Sequence, residues 1–388
     1  MPLIKREYFI NKIENALRVH SVIALLGPRQ CGKTTLATQY ITFEENKLSA
    51  IHHFDLEDPD DLAKLDAPKL TLNDLVGLIV IDEIQRRPEL FPLLRVLVDQ
   101  HKKRKFLILG SASRDLIKQS SESLAGRICY IEITPFSYFE VDNLNKLWFR
   151  GGFPGSYLAR DDQDSNDWRA SYISTFLERD IPNLGIQIPA RTLRRFWMML
   201  AHYHGNIFNA SEIGASLGVG HTTARRYLDI LTGTFMIREL TPWIENINKR
   251  QIKSPKIYFR DSGIFHSLLG ILNLQDLKNH PKLGASWEGF ALEEIIRKYH
   301  AEPEECYFWG VHGQGELDLL IFKNGKRLGF EFKYSDAPRL TSSMQFAQET
   351  LRLDKLTVIY PGKNHYYLTP DIEVIGFESY LMDKNHHN

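Results

Sequence analysis

The feature that most constrains the fold is a glycine-rich segment placed between an apolar run and a helical pattern. Residues 22–26 form the apolar run, the helical pattern extends from Thr34 to Tyr40, and the segment reads Gly27-Pro28-Arg29-Gln30-Cys31-Gly32-Lys33-Thr34. A strand, a glycine-rich turn and a helix in this order direct successive backbone N–H groups at phosphate oxygens. The segment therefore predicts a P-loop that binds a purine nucleoside triphosphate, namely ATP with magnesium.

Individual side chains of this segment have predicted roles. Lys33 supplies a positive charge to the β- and γ-phosphates, and the Thr34 hydroxyl is the expected magnesium ligand. The other predicted nucleotide-binding residues follow the loop backbone: Gly27, Pro28, Arg29, Gln30, Cys31, Gly32 and Thr35. The opposing interpretation, a glycine-rich turn without a ligand, does not account for the strand before the segment and the helix after it.

A second apolar run ends in two acidic residues. Residues 78–81 are all aliphatic, and Asp82 and Glu83 follow them directly. In a parallel sheet this places both carboxylates at the carboxyl edge, beside the P-loop. We expect Asp82 to hold magnesium through water and Glu83 to act as the general base that polarises the attacking water. The pair predicts an ATP hydrolase and not a nucleotide switch alone.

Two further positions are candidates for contact with the transferred phosphate. Residues 106–109 form another apolar run, after which Ser111 or Ser113 is expected to sense the γ-phosphate. Arg127 precedes the run 129–133 and is the candidate positive charge for the transition state, on the expectation that it lies at the same edge of the sheet. An ordinary salt bridge is the alternative role for Arg127.

Length and composition indicate the class of protein. A chain of 388 residues is longer than one hydrophobic core usually serves, which favours two or three domains. Lys plus Arg and Asp plus Glu number 48 each, so the net charge argues neither for nor against a nucleic-acid partner. The three cysteines are widely separated and the apolar stretch 21–26 is too short to span a bilayer, which predicts a cytoplasmic protein without membrane association.

The amino-terminal part alternates short apolar runs with amphipathic segments. The runs are 22–26, 50–54, 78–81, 106–109 and 129–133. This alternation predicts an α/β fold in which a parallel sheet is covered by helices, with the ligand at the carboxyl ends of the strands. We place this P-loop core at residues 1–147.

Three smaller units are predicted after the core. They are a helical unit, a winged helix-turn-helix and a small α/β domain, at residues 148–200, 201–260 and 261–388. Residues 151–154 (Gly-Gly-Phe-Pro) interrupt the chain near the start of the first unit, and 214–220 separate two short helical patterns in the second. In the third, Asn324-Gly325 between apolar runs predicts a tight hairpin.

The helix-turn-helix region has a local excess of positive charge. Residues 188–260 contain eleven Lys or Arg and four Asp or Glu, an excess of seven in a neutral chain. We expect Thr222, Thr223, Arg225 and Arg226 on the outer face of the second helix, where such a motif meets bases and phosphates. Both DNA contact through this helix and a purely packing role for it are compatible with the sequence.

Carboxylates and a lysine recur in the carboxyl-terminal unit. Alternation along two predicted strands places these side chains on shared faces: Glu316, Asp318 and Leu320 on the first, Glu331 and Lys333 on the second. With Glu288 on a preceding helix, the arrangement resembles the core of the PD-(D/E)xK nucleases. The resemblance implies a divalent-metal site formed by Glu288, Asp318 and Glu331 beside Lys333. Salt-bridged side chains on a half-exposed sheet are the alternative.

Taken in order, the motifs resemble those of the AAA+/STAND branch of P-loop ATPases, in particular prokaryotic ATPases with a carboxyl-terminal domain of unknown function. The resemblance spans nearly the whole chain and includes G-P-R-Q-C-G-K-T-T at 27–35, I-D-E-I-Q at 81–85, G-S-A-S at 110–113, L-A-G-R at 124–127 and G-G-F-P at 151–154. It implies that 148–200 forms a lid, that Pro154 approaches the nucleotide base, and that Ser111 is the sensor by position.

These observations support one favoured hypothesis and two alternatives. The favoured function is an ATP-hydrolysing switch whose lid and winged helix reposition the carboxyl-terminal domain. The alternatives are an ATP-gated, metal-dependent DNA nuclease and a non-enzymatic, nucleotide-regulated adaptor. DNA, through the winged helix or the carboxyl-terminal domain, and a protein are the candidate partners besides ATP. The sequence does not decide between a monomer and a homo-oligomer.

Overall fold

The five predicted strands of the core form one parallel sheet. The structure is a computed structural model that describes residues 3–44, 50–101, 103–111 and 124–383. The strands are β1 Val22–Leu26, β2 Ile51–Asp55, β3 Gly77–Asp82, β4 Arg104–Gly110 and β5 Ile128–Glu132. All neighbouring pairs are parallel, in the order β2-β3-β4-β1-β5. The predicted parallel α/β sheet is therefore confirmed, and the carboxyl ends of its strands share one edge.

Helices cover both faces of this sheet because its interior strands, such as β1, are apolar on both sides. Ile23 and Leu25 of β1 belong to one core cluster, and Val22, Ala24 and Leu26 belong to another. The helices of the core are α1 Glu7–Val19, α2 Lys33–Glu44, α3 Pro59–Lys64, α4 Pro68–Asn73 and α5 Leu90–Gln100, and a 3-10 turn Ile84–Arg86 follows β3. Side chains of α1 and α2 pack in the first cluster and those of α4 and α5 in the second. The turn from β1 to α2 is thus held between two packed layers.

A helical unit follows the core and is called the lid below. It comprises α6 Leu144–Arg150, α7 Pro154–Tyr157, α8 Asp162–Thr175, a π-helical turn Phe176–Asp180 and α9 Ile181–Asn183. Gly151 ends α6 with a φ of 75°, and the Gly152 N–H donates to the carboxylate of Asp261 over 2.8 Å. A side chain at Gly151 would collide with the same carboxylate. The interruption predicted at 151–154 is thus the point where the lid meets the carboxyl-terminal half.

The next segment alternates helices and strands. In chain order these are α10 Ala190–His202, β6 Asn206–Ile207, α11 Ala210–Leu217, α12 His221–Gly233, β7 Ile237–Pro242 and β8 Lys256–Phe259. Asn209 caps α11 by accepting from two backbone N–H groups, and Gly218 ends it with a φ of 74°. The two short helices predicted here are present, and β8 pairs antiparallel with both β6 and β7.

The carboxyl-terminal half is an α/β unit. Its strands are β9 Cys306–Val311, β10 Gly315–Lys323, β11 Lys326–Phe332, β12 Lys355–Tyr360, β13 His365–Thr369 and β14 Ile372–Gly376. Its helices are α13 Ser262–Leu268, α14 Leu274–Asn279, α15 Leu283–Lys298, α16 Ser342–Leu351 and α17 Phe377–Met382, with a 3-10 turn Pro303–Glu305. The predicted hairpin joins β10 and β11, with φ of 52° at Asn324 and 77° at Gly325. No helix of the described residues is both long and apolar enough to cross a membrane.

One sheet joins the helix-turn-helix region to this half. β7 pairs parallel with β9, which aligns Thr241 with Tyr307 and Pro242 with Phe308. The result is a sheet of nine strands in the order β13-β14-β12-β11-β10-β9-β7-β8-β6. The units expected at 201–260 and 261–388 are therefore continuous through backbone hydrogen bonds, and we expect a movement of one to carry the other.

Candidate functional site

The P-loop connects the carboxyl end of β1 with the amino end of α2. The Gly27 N–H donates to the carbonyl oxygen of Gly110 on β4 over 3.2 Å. A side chain at Gly27 would run into the carbonyl group of Ile133, so this position requires glycine. Gly32 and Gln30 have φ of 95° and 60°. Left-handed residues of this kind let successive N–H groups turn toward one anion.

Lys33 and Thr34 lie in the first turn of α2. The Lys33 Nζ donates to the carbonyl oxygens of Gly27 and Pro28 over 3.0 and 2.8 Å, so the ammonium group lies within the loop. The Thr34 hydroxyl donates to Oδ2 of Asp82 over 2.6 Å, and Asp82 is buried at the end of β3. A hydroxyl and a carboxylate that already face each other are oxygen ligands of the type that Mg²⁺ prefers. These residues fit the magnesium of a bound nucleotide.

Glu83 follows Asp82 in a strained backbone conformation. Its φ of 55° is left-handed, which costs a residue other than glycine about 1–3 kcal/mol. Burial raises the pKa of Glu83, and the charges of Arg29 and Lys33 oppose that shift. A general base needs a higher pKa than an exposed glutamate has. The strain and the raised pKa both indicate a carboxylate placed for chemistry.

Gln85, for which the sequence predicted no role, links Glu83 to Ser111. Its side-chain amide donates to the Glu83 carboxylate and to Oγ of Ser111, the latter over 2.9 Å. The hydroxyl of Ser111, buried at the end of β4, lies 3.5 Å from Oε2 of Glu83. The candidate sensor therefore adjoins the candidate base, whereas Ser113 lies outside the described residues. The sequence signal that could have indicated Gln85 is a polar residue in the turn directly after the acidic pair.

The side chain of Arg29 points from the P-loop to three carboxylates. Its guanidinium nitrogens lie 2.5 Å from Oε1 of Glu57, 2.9 Å from Oδ1 of Asp180 and 3.7 Å from Oε1 of Glu83. Burial raises the pKa of Asp180, and the Arg29 charge opposes the shift. Arg29 therefore connects the P-loop with the acidic end of β3 and with the lid.

A cavity of about 390 Å³ opens on the P-loop. Its polar lining includes Lys33, Thr34 and Glu83, and its apolar lining consists of Leu3, Ile4, Phe136, Pro154 and Leu158. The volume is within the range of small-molecule sites, and the mixed lining suits a ligand with phosphates and a flat base. Pro154 was predicted from the family resemblance. The other apolar residues were missed, because the first residues of the chain and the loop after β5 contain no motif.

Arg127 lies at the opposite edge of the core sheet. Its carbonyl oxygen accepts from the N–H of Val22 at the amino end of β1, and its guanidinium pairs with Asp99 over 2.6 and 2.9 Å. The expectation that Arg127 shares the edge of the P-loop is wrong, because a residue that precedes a parallel strand lies opposite the carboxyl ends. The structure contains the alternative, a salt bridge.

The predicted carboxylates of the carboxyl-terminal unit lie close together, with two lysines among them. Lys333 Nζ is 2.8 Å from Oε2 of Glu331 and 4.0 Å from Oδ2 of Asp318. Lys256 on β8 is buried and pairs with Glu316, and its Nζ lies 3.8 Å from Oδ1 of Asp318. The sequence did not indicate Lys256, because it comes from a strand of the preceding unit that only the shared sheet brings near.

Glu288 also lies beside these carboxylates. It accepts a hydrogen bond from the Tyr258 hydroxyl over 2.6 Å. Burial raises the pKa of Glu288 to about 7, with a further contribution from the charge of Asp318, and burial also raises the pKa of Glu331. Across the described ranges, no group of three or more His, Cys, Asp or Glu side chains is arranged to hold a metal ion. The metal site of Glu288, Asp318 and Glu331 stays a prediction, and the ammonium groups of Lys256 and Lys333 supply positive charge beside Asp318.

The outer face of α12 is partly occupied by internal ion pairs. Arg225 pairs with Asp229 over 2.8 Å and with Glu239 over 2.7 Å. Thr222 and Arg226 are exposed. Of the two arginines expected to contact a nucleic acid, Arg225 is thus paired with these carboxylates and Arg226 is not.

Family models divide the chain into three consecutive segments. Residues 19–141 match an AAA domain, residues 141–275 match a domain of unknown function (DUF8612), and residues 283–380 match a second domain of unknown function (DUF4143). The AAA match contains the P-loop and both Asp82 and Glu83. The core is therefore a P-loop ATPase domain of the AAA type, which implies nucleotide binding.

Relatives extend the match over the whole chain. The uncharacterized protein Rv2008c of Mycobacterium tuberculosis is 46% identical over 382 residues, which cover 98% of this chain and 85% of the mycobacterial protein. The chain belongs to the family of this mycobacterial protein. A more distant relative, the uncharacterized protein MJ1544 of Methanocaldococcus jannaschii, is 24% identical over 425 residues, or 99% and 88% of the two chains. Family membership thus covers the lid and the nine-stranded sheet as well as the AAA domain.

Among solved structures, the Walker-type ATPase PABY2304 of Pyrococcus abyssi is similar to this chain with a TM-score of 0.49 and 18% sequence identity. The match covers 69% of this chain and 96% of the Pyrococcus chain.

Proposed function

We propose that this protein binds ATP with Mg²⁺, hydrolyses it, and uses the reaction to switch the position of the lid and the nine-stranded sheet relative to the core. The observation that carries the proposal is the meeting of three features at one sheet edge: the Lys33 ammonium, the Thr34–Asp82 hydrogen bond and the partly buried Glu83 carboxylate. A cavity of about 390 Å³ with an apolar side adjoins them.

Each group has a distinct part in the proposed reaction. Lys33 neutralises the β- and γ-phosphates when phosphate oxygens replace its two carbonyl partners. Thr34 and Asp82 hold Mg²⁺, which when bound stabilises negative charge on the phosphate oxygens. Glu83 orients a water molecule toward the γ-phosphorus and accepts its proton. Ser111, 3.5 Å from Glu83, reads the presence of the γ-phosphate.

The lid and the nine-stranded sheet form the moving part in this proposal. The lid touches the site through Pro154, which lines the cavity, and through Asp180, which pairs with Arg29. The same lid binds Asp261 through the N–H of Gly152, directly after β8. A change of lid position on ATP binding is thereby passed to the sheet, in which backbone pairing joins β7 to β9.

We interpret α10 to β8 as a winged helix, on its order of helix, strand, helix, helix, strand and strand, and the carboxyl-terminal half as a PD-(D/E)xK-like fold. DNA binding is the second candidate function, and the exposed Arg226 and the excess of basic residues at 188–260 support it. Internal pairing of Arg225 weakens this candidate. The buried Lys256, which the nuclease-like arrangement does not include, pairs with Glu316 and lies 3.8 Å from Asp318, which favours a binding or structural role for the carboxyl-terminal unit over metal-dependent cleavage.

The proposal is tested by ATP affinity and phosphate release with the full-length chain, Lys33→Ala and Lys64→Ala. Lys64 is the matched control, since it is exposed and pairs with Asp61 in the same core. We expect turnover by the wild type and by Lys64→Ala, and no measurable ATP affinity in Lys33→Ala, because the charge that binds the ground-state phosphates is lost. Equal affinity in Lys33→Ala and the wild type would reject the P-loop as the binding site.

A further inference from the structure

Arg29 is surrounded by carboxylates from three different parts of the chain. Glu57 follows β2, Glu83 follows β3, and Asp180 ends the π-helical turn of the lid. All three have an oxygen within 4.0 Å of the guanidinium nitrogens, at 2.5, 3.7 and 2.9 Å respectively. One side chain of the P-loop therefore touches both the candidate general base and the lid.

Two of these three contacts are shielded from solvent. The side chains of Arg29, Glu83 and Asp180 are 16%, 14% and 6% exposed, whereas Glu57 is 37% exposed and also pairs with Arg179. Buried ion pairs are weakly screened, and loss of one member leaves the other charge uncompensated. The row Asp180–Arg29–Glu83 is thus the shielded part of the cluster, and its positive charge acts on the Glu83 carboxylate together with the hydrogen bond from Gln85.

The lid also contacts the backbone of Arg29. Tyr172 on α8 is buried, and its hydroxyl donates to the carbonyl oxygen of Arg29 over 3.4 Å. Phe176 stacks on Tyr172 and begins the π-helical turn that ends at Asp180. Such turns occur mostly as single interruptions of helices and often at functional sites. The interrupted helix therefore holds one P-loop residue at its backbone and at its side chain.

We propose that Arg29 is a positioning residue for ATP hydrolysis, which keeps Glu83 in its working orientation only while Asp180 of the lid holds Arg29. The inference rests on the proposed hydrolase function and deepens it, since it assigns the coupling between lid position and chemistry to one side chain. When the lid withdraws Asp180, Arg29 loses its buried partner and retains only the more exposed Glu57 as a hydrogen-bond acceptor, so its charge no longer holds Glu83 against the water that it must orient.

The shape of the guanidinium group, and not its charge alone, is required for this role. Its planar fork presents several N–H donors in fixed directions, so it can bind two carboxylates at once. A lysine ammonium is a compact charge on a flexible stem and cannot keep the two partners in a defined relation. Lys33 already provides positive charge to Glu83 from the P-loop. A lysine at position 29 should therefore retain the charge and lose the coupling.

The test is steady-state ATP turnover of Asp180→Asn, Arg29→Lys and the double variant. Glu178→Gln is the matched control, because Glu178 is an exposed carboxylate in the same π-helical turn. We expect each single change to lower kcat about 10- to 100-fold and to change KM for ATP less than about threefold. The double variant should be no slower than the slower single variant, because both changes break the same row of contacts. Glu178→Gln should match the wild type.

Several outcomes overturn the inference. The first is a kcat of Asp180→Asn equal to that of the wild type. The second is a double variant whose loss of kcat is the product of the losses in the two single variants. The third is a loss of kcat in Glu178→Gln as large as that in Asp180→Asn. If thermal unfolding shows that Asp180→Asn does not fold, Asp180→Glu replaces it: this change retains the charge and must keep more turnover than Arg29→Lys. If the wild type binds ATP without hydrolysing it, the proposed hydrolase function itself is contradicted. This result is distinct from a failure of the Arg29 inference, which requires a wild type that hydrolyses ATP.

Discussion

The Thr34 hydroxyl donates a hydrogen bond to the Asp82 carboxylate over 2.6 Å, which joins the first turn of α2 to the end of β3. The two residues are far apart in the sequence and meet because β1 and β3 end at the same edge of a parallel sheet. Both contribute oxygen ligands of the class that Mg²⁺ prefers. The contact therefore marks where the ion of a bound nucleotide should lie.

Asp82→Asn is expected to raise the Mg²⁺ concentration for half-maximal ATP turnover about 10- to 100-fold, because the amide lacks the charge that holds the ion. A titration of ATP turnover with Mg²⁺ measures the change. Asp99→Asn is the control, since Asp99 pairs with Arg127 at the opposite sheet edge. The same Mg²⁺ dependence in Asp82→Asn and in the control would remove Asp82 from the metal site.

Arg127→Ala is expected to leave ATP turnover within about twofold of the wild type, because the Arg127–Asp99 pair lies at the edge opposite the P-loop. Both side chains are partly exposed, at 33% and 48%, and water screens their charges, so loss of the pair should leave the free energy of unfolding almost unchanged. Phosphate release and urea unfolding measure the two quantities. A loss of turnover comparable to that of Lys33→Ala would mean that Arg127 reaches an active site after all.

Lys256→Met is expected to lower the free energy of unfolding by about 3–5 kcal/mol, because it removes the buried one of the two ammonium groups beside the buried Asp318 carboxylate. Lys333→Met is the control: Lys333 is 41% exposed, so water replaces part of its contribution and the loss should be smaller. Urea unfolding of both variants measures the difference. Equal stability of Lys256→Met and the wild type would show that these carboxylates do not depend on Lys256.

Two buried histidines predict a loss of stability in acid. Burial lowers the pKa of His204 and of His266 to about 3, from the ordinary value of 6.5. As the pH falls below 6.5, each histidine of the unfolded chain takes up a proton, whereas the folded chain stays neutral at these positions until about pH 3. The unfolded state therefore binds more protons, and stability falls with falling pH by about 1.4 kcal/mol per pH unit for each histidine.

The variant His266→Gln isolates one of these contributions. His266 lies between the carbonyl oxygen of Phe149 and the hydroxyl of Ser286, at 3.0 and 2.6 Å, so the variant should be less stable at about pH 7. It should also lose less stability than the wild type on going to about pH 5. The raised pKa of Glu288 has the opposite sign, since it favours the folded state in acid, but it is common to both proteins. Equal pH slopes would contradict a neutral, buried His266.

The core sheet could be predicted because its signals are local. Apolar runs end at the candidate site residues Gly27, Asp82 and Ser111, and parallel strands carry such ends to one edge. The apolar lining from Leu3, Phe136 and neighbouring residues could not be predicted, because it depends on how the chain before α1 and the loop after β5 pack on the P-loop. No regular spacing in the sequence relates the chain before α1 and the loop after β5 to the P-loop.

The carboxyl-terminal site shows a second limit of sequence patterns. Strict alternation placed Asp318 and Leu320 on one face of β10, but the register against β9 shifts between Leu317 and Leu320. Leu317 and Leu320 therefore pack in one core cluster, and Leu319 packs in another. A bulge adds one residue to a strand and reverses the faces beyond it. The position of Lys256 beside Asp318 likewise depends on a long-range strand pairing that the sequence does not reveal.

The central claim, that this protein is an ATP hydrolase with Glu83 as its base, is tested most directly by one measurement. ATP affinity and single-turnover hydrolysis are compared in the wild type and in Glu83→Gln under identical conditions. We expect affinities within about threefold of each other and hydrolysis slowed about 100-fold or more in Glu83→Gln, because the glutamine retains the shape of the side chain and cannot accept a proton from water. Hydrolysis at the wild-type rate by Glu83→Gln, or none by the wild type, would contradict it.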